Sequence, residues 1–348
     1  METSSSKKKI VIIVMTGNML VDFAGPSDVF TQADNYLMQS TPQQVPPSGY
    51  EVLITAPTMD RTIKTQTGVE IHCPYHAMEI NFPVDTIIIA GNNFNQNNDT
   101  ALESFYKWLV ATYKKEGVRR IASVCGGAFV LAKAGLLEGK KATTHWELSE
   151  KLKRSYPGIQ VHANQFFVND GNIYTSAGVS SGIDLALALV EQDFGKETAI
   201  HVARKLVFYL SRPGFQAQFG HLLPVYESVN IAGKIQKWLQ DHLHESLEVS
   251  RIAAKVNMST RNFTRVFHKE TGMPPAKFVE KLRVEAARRF LEQTNTPLER
   301  IAEKCGLGNL VSMRRVFLRH LSVTPSDYRR VFRTALKDPA MEDVLYET

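Results

Sequence analysis

Cysteine is scarce in this chain. Its 348 residues hold three, Cys73, Cys125 and Cys305. Three cannot build a disulfide framework, and their spacing fits no zinc pattern. That usage suits a reducing compartment, so a cytoplasmic location is expected, with no metal and no cofactor. Long apolar runs are missing as well. None approaches the roughly 18 residues that a membrane-spanning helix needs, so no membrane partner is expected. The opening METSSSKKKIVIIVM sets charge before an apolar stretch, as a signal peptide does. Residues 10–15 are too short for that, and no small-residue cleavage site follows. A first β-strand behind a polar tail is the better reading. Cys73, beside Pro74, and Cys305, at a repeat core position where Val256 stands in the first copy, are expected to be structural.

Net charge is absent from most of the chain. Residues 1–220 carry 20 Lys/Arg against 20 Asp/Glu. Residues 221–335 carry 20 against 11, and residues 336–348 carry one against four. The formal charge of +6 therefore comes from one segment. A basic patch of this kind suits a polyphosphate partner.

The same segment contains a repeat. Ile252-Ala253-Ala254-Lys255-Val256 recurs 49 residues later as Ile301-Ala302-Glu303-Lys304-Cys305. Arg265-Val266-Phe267 recurs as Arg315-Val316-Phe317, and Pro275 and Phe278 recur as Pro325 and Tyr328, each 50 residues on. Each copy reads as a short helix, a tight turn and a second helix. In the first copy a helix over 250–256 is followed by one that Ser259 caps. Phe263, Val266 and Phe267 fall at i, i+3, i+4 and should face a core. Thr260, Arg261, Asn262, Thr264, Arg265 and His268 are left outside. In the second copy Met313, Val316 and Phe317 are the core residues. Asn309, Leu310, Val311, Ser312, Arg314 and Arg315 form the outer set. Arg can grip guanine in a bidentate way, Asn can grip adenine, and Leu or Val can meet a thymine methyl. Two such helices on one face of double-stranded DNA should lie about one turn, roughly 34 Å, apart.

Residues 230–333 resemble the AraC/XylS family DNA-binding domain. The stretch IAEKCGLGNLVSMRRVFLRHLSVTPSDYRR follows that family's second-repeat signature along most of its length. It departs where an aromatic pair usually stands, since Ser312-Met313 occupy those positions. The resemblance implies two helix-turn-helix units joined by a linking helix.

Upstream, β-type runs alternate with helical ones. Strands are expected at 10–15, 50–57, 85–91 and 118–125, then at Thr143-Thr144-His145 and at 172–176. Helices are expected at 26–37, at 102–116, after Cys125, and at 180–195 behind a serine cap. The order implies an α/β sandwich, flavodoxin-like, with a mostly parallel sheet and helices on both faces. An all-α domain with two helix-turn-helix units follows. The expected boundaries are 8–210 for the sheet domain, 211–225 for a Pro/Gly linker, 226–333 for the helical domain and 334–348 for a tail without ordering signals.

Cys125 ends a strand and is followed by Gly126-Gly127 and a helix. That is the pattern of a nucleophile elbow, in which a tight turn pushes the side chain out at the sheet's C-terminal edge. The helix N-terminus should favour thiolate. His145, 20 residues on, is placed to come alongside as in cysteine nucleophiles. Open α/β sheets also bind ligands at this edge. Trp146 is expected in the core.

This half resembles the ThiJ/PfpI superfamily, relatives of class I glutamine amidotransferases. The match covers roughly residues 8–210, with SVCGGAFVLAKAGLLEGKKATTHW and YTSAGVSSGIDLAL its most specific stretches. Catalytic members add an acidic residue from the first loop. Asp22 is the counterpart here, and a cap for the helix near Pro26 is its other reading. The two halves together resemble the GlxA-like branch of AraC-type regulators. That resemblance implies a small effector, such as a nitrogen-containing metabolite, bound near Asp22, Asn92, Cys125, Gly126 and His145. It implies a transcription regulator, an activator in preference to a repressor, that works as a homodimer with RNA polymerase as a partner. Catalysis is not expected. The alternatives are a cysteine-dependent amidase or hydrolase fused to a DNA-binding module, or a thiol redox sensor.

Overall fold

The computed structural model describes residues 7–40, 49–91, 102–115, 117–163, 165–208, 223 and 230–332. Asn92, the tail 334–348 and all of the expected linker except Leu223 lie outside the described residues. The chain divides into two units, Met1–Gln218 and Phe219–Thr348.

The strands of the first unit are β1 (Lys8–Val14), β2 (Tyr50–Ala56), β3 (Thr62–Lys64), β4 (Glu70–His72), β5 (Tyr75–His76), β6 (Thr86–Ala90), β7 (Arg120–Val124), β8 (Lys141–Ala142), β9 (Gln160–Val161), β10 (Phe167–Asp170) and β11 (Ile173–Ser176). Its helices are α1 (Val21–Ser40), α2 (Glu103–Tyr113), α3 (Gly127–Lys133), α4 (Trp146–Ser155) and α5 (Ser180–Lys205). Among the described residues, seven strands form one sheet in the order β10-β11-β7-β6-β1-β2-β5. Only the β10–β11 pair is antiparallel.

The centre of the sheet shows why it has helices on both faces. Side chains alternate along a strand. In β1, Ile10, Ile12 and Val14 enter a core with Phe23, Val29 and Phe30 of α1 and Leu185 and Leu189 of α5. Val11, Ile13 and Met15 enter the opposite core, with Phe105 and Leu109 of α2 and Phe129 and Leu131 of α3. An uninterrupted β-branched run is the signature of a strand covered twice. At the sheet's N-terminal edge, the carboxylate of Asp193 on α5, its side chain shielded from solvent, takes hydrogen bonds from Arg119, Arg120 and Tyr50, which ties α5 to β7 and β2.

Several local expectations need correction. Thr143-Thr144-His145 is not a strand. Its polar groups go elsewhere: the Thr143 N–H donates to Thr175 Oγ1 at 2.8 Å, and the Thr144 hydroxyl donates to the Cys125 carbonyl at 2.7 Å. Helix α1 starts at Val21 with Pro26 inside it, because Asp22 N–H and Ala24 N–H already close turns onto Met19 O and Leu20 O. Helix α5 has Val179, not a serine, at its N-cap, and it kinks at Gly195. Trp146 is 37% exposed, since it opens α4 on the solvent side. The β3–β4 hairpin went unanticipated.

The second unit comprises α6 (Ile231–His242), α7 (Val249–Lys255), α8 (Thr260–Thr271), α9 (Pro275–Gln293), α10 (Leu298–Lys304), α11 (Leu310–Leu321) and α12 (Pro325–Phe332). It has two cores, and α9 serves both. Phe278, Val279 and Leu282 pack with α6, α7 and α8, while Val284, Ala287 and Leu291 pack with α10, α11 and α12. Arg283 of α9 reaches back to the first half, donating to Leu243 O at 3.1 Å and Glu245 O at 2.7 Å. Gly306, in the turn after α10, sits so close that a Cβ would lie 2.0 Å from Leu243 O. Glycine at that position lets the two halves meet backbone to backbone.

Candidate functional site

Four chain segments converge at the C-terminal edge of the parallel strands. They are the start of α1, the residue after β6, the β7–α3 turn and the β11–α5 turn. Cys125 takes φ of +58° there, a conformation costly for a residue with a Cβ. The following glycines allow the turn. A Cβ on Gly127 would lie 2.2 Å from Ile89 O, so only glycine lets α3 approach β6 this closely. Gly178, at φ +99°, fits against the cysteine, where a Cβ would be 2.8 Å from Sγ. Gly91 meets both partners: a Cβ there would lie 2.8 Å from Asp22 Oδ2 and 2.9 Å from Cys125 Cβ. Asp22 and Cys125 are thus neighbours, as the sequence led us to expect.

The electrostatics are not those of an activated nucleophile. Burial pushes the Cys125 thiol up to about 12, and the Asp22 carboxylate pushes it in the same direction. Only the Gly126 N–H opposes this. Both effects run against the expected thiolate, because desolvation of a buried sulfur opposes one short helix N-terminus. Asp22, 1% exposed, is itself raised to about 6 by burial, against hydrogen bonds from the Val179 and Met19 backbone.

His145, expected beside the thiol, follows Thr144 at the start of α4. It is the N-cap of α4, and its Nδ1 stands 3.7 Å from Glu147 Oε2. Burial lowers its pKa, with Glu147 opposing. Thr144, the residue before it, is the one bonded to Cys125, through the backbone carbonyl. Gly126 caps α3 and offers backbone only. Cys73 and Cys305 are buried free thiols.

Three contributors escaped the sequence reading. Thr144 and Val179 reveal themselves only through long-range contacts. The third is Asn18, in the β1–α1 loop. It is 1% exposed, and neither its Oδ1 nor its Nδ2 has a hydrogen-bond partner among the described residues. Leaving a buried polar group unpaired costs roughly 1–3 kcal/mol.

In the second unit the outward sets fall on α8 and α11. Thr260, Arg261, Asn262, Arg265 and His268 are exposed and Thr264 is half-buried. Ser259 caps α8 by accepting from the Asn262 N–H at 3.4 Å. The core positions Phe263 and Phe267 are buried, with Val266 half-buried. On α11, Val311, Arg314 and Arg315 are exposed, whereas Leu310 and Ser312 are half-buried. Asn309 is the N-cap, and its Oδ1 accepts from the Ser312 N–H at 2.9 Å. That occupies its carbonyl and leaves the amide N–H groups for another partner. Arg265 donates to Asn262 Oδ1 at 3.0 Å, one turn away on the same face.

Residues 8–192 match the DJ-1/PfpI family, and residues 252–331 match a helix-turn-helix domain. The HTH-type transcriptional regulator CdhR of Pseudomonas aeruginosa is 28% identical over 279 residues, covering 73% of this chain and 81% of that one. The HTH-type transcriptional regulator GlxA of Rhizobium meliloti is 26% identical over 289 residues, covering 81% and 85%. The isonitrile hydratase of Pseudomonas putida is 34% identical over 142 residues, covering 40% of this chain and 58% of the enzyme.

Proposed function

The chain belongs to the DJ-1/PfpI family and carries a helix-turn-helix domain after it; from that premise we propose a DNA-binding transcription regulator controlled by a small-molecule effector in the sheet unit. The observation that carries the effector part is the elbow itself. Burial pushes its thiol toward the neutral form, and a buried carboxylate and strained turns surround it. Those features suit binding rather than turnover. The same high thiol pKa argues against a peroxide sensor, which needs an accessible thiolate.

In this reading Asp22, Cys125, Gly126 and His145 line the effector site. Asn92, outside the described residues, adjoins it in the chain. Thr260, Arg261, Asn262, Thr264, Arg265 and His268 face one stretch of DNA major groove. Asn309, Leu310, Val311, Ser312, Arg314 and Arg315 face the next. Their exposure, the two capped helices and the basic charge of this segment support it. The effector acts by binding one arrangement of the regulator better than another, since equal affinity shifts nothing. An activating role in the cytoplasm, with RNA polymerase as a partner, completes the account. A homodimer through the sheet unit is part of it too. The exposed run Met19-Leu20-Val21 at the start of α1 supports that dimer.

A metabolite screen by thermal shift on the full chain tests the effector reading. A native-state ligand raises the midpoint by mass action. A hit whose effect Asp22→Ala and Gly178→Ala abolish, and which changes affinity for a bound duplex, is the expected result. Sustained Cys125-dependent release of product from an amide or isonitrile would replace this reading with an enzyme.

A further inference from the structure

Building on the effector reading above, we propose that Asn18 anchors the ligand and selects for a carbamoyl group, an amide or ureide that carries C=O and N–H side by side. The argument starts from how the β1–α1 loop is held. The Asn18 carbonyl accepts from the Gln66 N–H at 2.8 Å, and the Gly17 N–H donates to Lys64 O at 2.8 Å. The backbone is therefore pinned to the β3–β4 hairpin. The side chain is left with an acceptor and a two-hydrogen donor, both buried and both unpaired among the described residues. Buried amides in native proteins are nearly always paired, so an orphaned one calls for an explanation. An apolar residue of the same size would avoid the penalty.

The position supplies the explanation. Asn18 lies four residues before Asp22, in the loop that leaves the same sheet edge as the Cys125 turn. Asp22 Oδ1 is committed to the Val179 N–H, and burial pushes the thiol toward its neutral form. Asn18 thus adds a buried donor and acceptor, unpaired among the described residues, to the loop at this edge. Their chemistry limits what can satisfy them. A carboxylate takes the Nδ2 donors and leaves Oδ1 bare. A quaternary ammonium has neither an N–H nor an acceptor. A carbamoyl group offers both in one plane and completes a pair of hydrogen bonds.

The test uses the full chain with four probes: glycinamide and N-carbamoylglycine, which carry the group, and glycine and trimethylglycine, which lack it. Affinities are measured by calorimetric titration for the wild type and Asn18→Leu. The expected result is binding of a carbamoyl probe that Asn18→Leu weakens roughly tenfold or more, the net loss of two neutral hydrogen bonds. In the absence of ligand, Asn18→Leu should melt at or above the wild-type temperature, because it removes an unpaired amide. If the leucine variant does not fold, Asn18→Ala serves in its place. Equal affinity of wild type and variant for the carbamoyl probe overturns the assignment. Tight binding of glycine or trimethylglycine, sensitive to Asp22→Ala but not to Asn18→Leu, overturns it while leaving the effector site standing. No binding by either carbamoyl probe also overturns it, and the effector reading then stands or falls by the wider metabolite screen.

Discussion

Asp22 Oδ1 accepts a hydrogen bond from the backbone N–H of Val179 at 2.8 Å, joining residues 157 apart in sequence. Val179 is the N-cap of α5 and holds φ at +48°, an unfavourable value for a β-branched residue. The carboxylate thus stabilises a strained turn while lying against Cys125. Asp22→Ala should remove the acceptor and leave a buried N–H unpaired. Destabilisation of roughly 1–3 kcal/mol in urea unfolding of the sheet unit is expected.

The raised pKa of Asp22 has a defined consequence for pH. Its folded value of about 6 lies above the ordinary 3.8. Folding therefore favours the protonated form. The contribution is fully present below 3.8 and is lost as pH rises through about 6. A two-unit shift corresponds to on the order of 3 kcal/mol. Wild type should lose about that much stability relative to Asp22→Asn between those pH values. A flat difference across the range would contradict the assignment.

Cys125 should behave as a protonated thiol. Its pKa is pushed up to about 12 by burial and by Asp22. Alkylation of native protein by iodoacetamide should be slow and rise about tenfold per pH unit up to about pH 9, with no plateau. A plateau near neutral pH would show a thiolate. Asp22→Asn should accelerate the reaction, as it removes the charge that opposes ionisation.

The two recognition-helix caps offer a local check. Ser259→Ala and Asn309→Ala each remove an acceptor from a helix N-terminus. Each should cost about 1 kcal/mol of stability in the helical unit. Asn309→Ala should also reduce duplex affinity, and Asn309→Asp should restore stability without restoring affinity, because it keeps the cap acceptor but loses the amide donors.

Much of this was legible from residue patterns. β1, β2, β6 and β7 announce themselves as β-branched runs, and the outward faces of α8 and α11 follow from Phe263, Phe267, Met313 and Phe317 at helical spacing. The Cys125 elbow was visible from its two glycines. What escaped depends on contacts across the fold. Whether a thiol at a helix start is ionised depends on how deeply the sheet buries it and where Asp22 sits. Thr143-Thr144-His145 has β propensity, but Thr175 and Cys125 draw its polar groups away from any ladder. Asn18 reads as an ordinary turn residue, and only three-dimensional packing shows its amide to be buried.

The most direct test of the whole account is binding of the full chain to duplex DNA by fluorescence anisotropy across a salt series. The account predicts that log affinity falls linearly with log salt, with a slope set by the number of phosphates neutralised. Arg265→Ala and Arg315→Ala should each weaken the preferred duplex by roughly 1–3 kcal/mol if they read bases. Absence of any salt-sensitive affinity for duplex DNA, or wild-type affinity in both arginine variants, would contradict it.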